Sequence, residues 1–153
     1  MKSINDSRMP EYQKARARGL IERGIVPLCD ALYEAGAYPL SSCDGHPWSP
    51  TWLSWVLSYI IPNKPVRPFV LFSCSFAYAK AYNTELNADR NLNYHWHLFS
   101  YIHPKSDELV WVIEPNSVKL SLGNVEPLKL KSDISQLAAI ATRINDVTPK
   151  EKT

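Results

Sequence analysis

Residues Asn93 to His103 alternate without interruption, with Tyr94, Trp96, Leu98, Ser100 and Ile102 on one parity and His95, His97, Phe99, Tyr101 and His103 on the other. A period of two belongs to extended backbone, where successive side chains face opposite sides of a sheet. The turn-forming run Pro104-Lys105-Ser106-Asp107 follows, and then the apolar stretch Leu109 to Ile113. This order predicts an antiparallel hairpin closed by a loop of about four to five residues. A hairpin with an apolar face is not stable in isolation, so the rest of the chain must supply further strands and a covering layer.

The flanking sequence supplies both. Val66 to Cys74 reads as an apolar strand, Ala37 to Ser42 as a short strand, and Val118 to Leu122 as a further short one. Ile25, Leu28, Cys29, Leu32 and Tyr33 recur at the spacing of one buried helix face, with Pro27 in the first turn and Gly36 placed to close it in a left-handed conformation. Helices are also expected over Pro10 to Gly24, Trp52 to Ile61 and Phe76 to Asn87. A final helix, capped by Ser132 or Asp133, carries Ile134, Leu137, Ile140, Ala141 and Ile144 as its stripe. The expected fold is α+β, a single domain with an antiparallel sheet of about four or five strands packed against helices. Residues 1–9 read as a loose arm, 10–147 as the domain and 148–153 as a solvated tail.

Composition agrees with a folded domain: 153 residues, 45% hydrophobic, with five tryptophans and eight tyrosines. A net charge of +2 gives no chain-wide field for a phosphate backbone, so nucleic acid is not implied, although Lys14, Arg16, Arg18 and Arg23 cluster on one stretch. That cluster reads first as a solvated helix surface. The three cysteines are an odd number, no signal-like apolar stretch opens the chain, and Trp52 to Ile61 is too short to span a bilayer. A reducing cytoplasmic setting and no membrane partner are expected. Phosphate-cradling and dinucleotide-binding glycine motifs are absent, as is the His-Glu-x-x-His metal motif.

Chemistry concentrates in Ser41-Ser42-Cys43-Asp44-Gly45-His46, where the first short strand gives way to a loop. Gly45 permits a turn that exposes successive backbone amides as an anion-binding concavity, and Ser41, Ser42 and His46 add donors. Trp48, Trp52 and Trp55 follow and suit the wall of a cleft for a planar ring. Cys43 beside His46 suits nucleophilic chemistry, with His46 or His95 as base and Asp44 or Glu114 as orienting carboxylate. Cys29 and Cys74 sit on apolar faces and read as core.

The Ser-Ser-Cys-x-Gly core, carried by Ser41, Ser42, Cys43 and Gly45, resembles that of the wybutosine-synthesis tRNA methyltransferase family, with His46 where the family has a basic residue. The resemblance implies S-adenosylmethionine as cofactor and places the cysteine loop in a ligand cleft. The resulting expectation is a ligand-binding domain with catalytic capacity, with Cys43 and His46 as catalytic residues and Ser41, Ser42, Gly45 and Trp48 binding an adenosine-containing cofactor or nucleotide. Two other classes stay open. One is a zinc protein using Cys43, His46, His95 and His97, a chemically acceptable donor set whose parts need not meet. The other is a non-catalytic interaction or inhibitor module, which would expose an apolar patch.

Overall fold

Leu98 and Ile113, one on each arm of the expected hairpin, lie directly opposite each other in the computed structural model, which describes residues 4–43, 68–115 and 126–147. The arms are β3 (Trp96–Ile102) and β4 (Leu109–Pro115), paired antiparallel from Trp96 opposite Pro115 to Ile102 opposite Leu109. His103 closes the turn: its amide donates to Glu108 O at 2.8 Å, while its Nδ1 accepts from the amides of Lys105 and Ser106. Asp107 adopts a φ of 57°, a left-handed conformation that aspartate tolerates better than most residues.

β2 (Phe69–Ser73) pairs antiparallel with β4, and β1 (Tyr38–Cys43) pairs antiparallel with β2, giving the order β1-β2-β4-β3. β1 and β3 are therefore the two edges of the described sheet. Within β1 the register shifts between Pro39 and Ser41, so that Pro39 lies opposite Phe72 and Ser41 opposite Leu71. The extra residue at this bulge reverses which face each later side chain meets.

One face of the sheet carries Val70, Phe72, Trp96 and Ile113, buried against the helices. On that side lie α2 (Val26–Glu34), α3 (Phe76–Ala88) and α4 (Pro127–Val147). α2 buries Leu28, Cys29, Ala31 and Leu32, and it ends where Gly36 reaches a φ of 86°. The amides of Gly36 and Ala37 then return to Tyr33 O and Leu32 O, which satisfies two carbonyls of the last turn. Ser75 Oγ accepts from the Tyr78 amide at 3.1 Å and caps α3. Tyr78 and Tyr82 then donate their hydroxyls to Ala141 O and Leu137 O of α4, so the two helices are joined by hydrogen bonds inside an apolar interface. The opposite face buries a smaller cluster, Leu71, Val110 and Val112, with Phe69 packed against it. The described part of the chain is α+β in one domain, with four strands and four helices.

Two helices differ in their bounds from the sequence reading. α1 spans Ile4–Ala17, so helix begins within the expected arm and ends before Gly24. Hydrophobic periodicity reports burial, and a helical segment without an apolar stripe gives no such signal. α4 begins at Pro127, which puts Ser132 and Asp133 inside the helix instead of at its cap. Proline at the first helical position, where its missing N–H is no loss, marks this start in the sequence. The expected helix over 52–61, the proline-rich turn before Pro68, the strand over 118–122 and the tail lie outside the described residues.

Candidate functional site

β1 delivers the Ser-Ser-Cys segment to one end of the sheet. Ser41 is exposed, opposite Leu71. Ser42 is half-buried opposite Val70, on the helix-facing side, and its hydroxyl hydrogen-bonds the Cys29 sulfur of α2. Burial pushes the Cys29 thiol up to about 12, against the lowering effect of that bond. Burial likewise pushes Cys74, half-buried against the core, up to about 12. Cys43 ends β1 at the register position opposite Phe69. Gly45, His46 and Trp48 lie outside the described residues, as do Asp44, Trp52 and Trp55.

The same end of the sheet holds the last residues of β4 and the first of β3. His97 is paired in register with Glu114, and its Nε2 stands 3.3 Å from Glu114 Oε1, with both side chains part-exposed at 37% and 23%. Phe99 meets the imidazole edge-on at a ring separation of 5.5 Å. The carboxylate expected to orient His46 or His95 is thus joined to His97. Hairpin register could have shown this from the sequence, because a short turn over 103–108 places 97 opposite 114.

Sheet order decides the four-residue zinc set. Cys43 and His97 lie on opposite edge strands with β2 and β4 between them, about 14 Å apart at three strand spacings, whereas ligands of one zinc ion each stand roughly 2.0–2.3 Å from it. Among the described residues no group of three or more His, Cys, Asp or Glu side chains is placed to hold a metal ion.

The carboxylate that ties the entry of β3 to α4 is one that the sequence assigns to a helix cap. Asp133 is fully buried, and it accepts from Asn93 N at 2.7 Å, Asn93 Nδ2 at 3.0 Å, Tyr94 N at 2.9 Å and Trp96 Nε1 at 2.8 Å. It fixes the entry into β3, and therefore the position of His97, to α4. Its position within the stripe of Leu130, Ile134 and Leu137 was the available signal. On α1, Tyr12 donates to Asp30 Oδ1 at 2.7 Å and Arg16 Nε lies 3.2 Å from the same oxygen. Burial first, and then this bond, hold the Tyr12 phenol well above its ordinary value. One member of the basic cluster is thereby committed to joining α1 to α2.

No protein-family model matches the chain, and neither a curated protein nor a solved structure matches it. Among the described residues no helix is long and apolar enough to cross a membrane.

Proposed function

We propose that the chain is a ligand-binding domain with catalytic capacity, its site at the end of the sheet where β1 passes into the Cys43-to-Trp48 segment. In this reading Cys43 and His46 carry the chemistry. Ser41, Ser42, Gly45 and Trp48 bind an adenosine-containing cofactor or nucleotide. The observation that carries it is the polar pair His97–Glu114 at that same end, part-exposed and mounted on paired strands, a rigid support of the kind binding residues need. S-adenosylmethionine is the ligand the resemblance implies. Calorimetry with that cofactor should give a saturable heat that Gly45→Val, His46→Ala and Glu114→Gln each weaken. Absence of heat at millimolar cofactor removes the adenosine reading, and binding indifferent to all three substitutions moves the site elsewhere.

A macromolecular partner is the second reading, favoured by the exposed apolar side chains of β3. Phe99, Tyr101 and Ile102 are 41%, 40% and 56% exposed on a strand that, among the described strands, pairs with β4 alone. Such an edge is a template for strand addition. If a second copy fills that role, sedimentation should show a dimer that Phe99→Lys dissociates; a monomer at high concentration excludes it.

A further inference from the structure

The two edges of the described sheet are not alike. β1 carries Pro39, a bulge between Pro39 and Ser41, and α1 packed against it. Each of these keeps a further strand from pairing. β3 has none of them. From Trp96 to Ile102 it contains no proline and no Lys, Arg, Asp or Glu, its register with β4 runs unbroken, and Phe99 to Ile102 are exposed at both parities.

The turn fixes which backbone groups that edge offers. The amide of His103 donates to Glu108 O at 2.8 Å, which makes these two a hydrogen-bonded pair of the hairpin. In an antiparallel ladder such pairs alternate with pairs that exchange no bond. Carried along the register, His97, Phe99 and Tyr101 bond to β4, whereas Trp96, Leu98, Ser100 and Ile102 turn their N–H and C=O groups away from it. Pro115, opposite Trp96, fits this phase because it has no N–H to exchange.

A second copy of the same strand matches those groups when a two-fold axis passes beside Phe99. Trp96 then lies opposite Ile102 of the copy and Leu98 opposite its Ser100, so every outward-turned residue meets another. Sliding the copy toward the turn by one repeat of the ladder sets Trp96 against Pro104, which has no N–H, and sliding it the other way sets Ile102 against Tyr94, ahead of the strand. In the centred register Phe99 stands against Phe99 of the copy and His97 against its Tyr101, in the closer pairs of the ladder, with Cα atoms about 4.5 Å apart. No lysine, arginine or carboxylate of one strand opposes another, and a net charge of +2 sets little repulsion between copies. Two-fold pairing of one patch with itself is the commonest way in which identical chains associate.

We propose that β3 pairs antiparallel with β3 of a second copy in the register centred on Phe99, joining the two four-stranded sheets into one continuous sheet. This pairing rests on the second-copy reading of the edge given above and adds to it a register and a hydrogen-bond pattern.

Amide hydrogen exchange of the full chain reads that pattern. At a concentration where sedimentation shows a dimer, the amides of Leu98, Ser100 and Ile102 should be protected and should lose that protection in Phe99→Lys, while those of His97 and Tyr101, and of Leu137 in α4 as a check on the fold, stay protected in both. In a Cys43→Ser background, Phe99→Cys should give a disulfide-linked dimer with oxidised glutathione. Tyr101→Cys, on the same face but displaced along the strand from its own copy, should not. A monomer at high concentration overturns the second-copy reading and the register with it. A dimer in which Leu98, Ser100 and Ile102 exchange as fast as in Phe99→Lys, or in which Tyr101→Cys crosslinks as readily as Phe99→Cys, overturns the register alone.

Discussion

Asp133 shows how one side chain can organise a segment that no local rule would order. Residues 91–95 have neither helix nor strand around them, yet the carboxylate gathers two amide N–H groups, a side-chain amide and an indole at one point. Truncation leaves the buried Trp96 indole N–H without a partner and the part-buried amides of Asn93 and Tyr94 without their acceptor, and each unsatisfied buried donor costs about 1–3 kcal/mol. Asp133→Ala should therefore destabilise the domain by about 3 kcal/mol or more in urea unfolding, while Asp133→Asn, which keeps one acceptor oxygen, costs less. An effect of Asp133→Ala below about 1 kcal/mol would show that the donors find other acceptors. The cysteines give a second test at this scale. With Cys29 and Cys74 both pushed up to about 12, neither carries appreciable thiolate at pH 8, and Cys29 is also fully buried whereas Cys74 is half-buried. Cys29 and Cys74 should therefore react slowly with a thiol reagent at pH 8 in the native protein, and all three cysteines should react in denaturant. Labelling of Cys29 or Cys74 in the native protein as fast as in denaturant would contradict that assignment.

Among the elements, α2 and β1 depend on the short link between them. Gly36 sits at a φ of 86° with no atom within 4 Å of where a Cβ would stand. A substitution there meets only backbone strain, not a clash. Gly36→Ala should cost about 1 kcal/mol, visible as a lower urea midpoint with unchanged slope. A larger loss would mean that the turn itself had shifted, carrying Ser41 and Ser42 with it. β1 adds the bulge, and without that extra residue Ser42 would be turned away from Cys29.

For the molecule as a whole, acid stability depends on links between elements that join α3 and the β3 entry to α4. Burial alone would raise the Asp89 carboxyl, but Gln136, Asn91 and the charge of Arg143 outweigh it and hold it below the ordinary 3.8. A group with a lowered folded pKa contributes its stability above the unfolded value and loses it as pH falls through the folded one. Asp89→Asn should therefore be less stable than wild type at neutral pH, with the difference closing as pH drops through 3.8 and below. Parallel acid melts of the two proteins measure this, and a difference that does not change with pH would assign the loss to packing.

The α2 and α4 stripes, the β3–β4 hairpin and the closure at Gly36 were legible in the sequence, because each depends on neighbours within a turn or across a short loop. Of the candidate site, the segment Ser41 to His46 is singled out by residue type alone, and of it only Ser41 to Cys43 falls within the described residues. Its surroundings are not singled out in this way. The order β1-β2-β4-β3, the placing of Ser42 and not Ser41 on the helix-facing side and the Asp133 clamp all join residues distant in sequence or depend on a bulge. Local periodicity is blind to strand order and to a single-residue phase shift, since every order and phase preserves the same alternation. Only the closing of long-range contacts around one core selects among them.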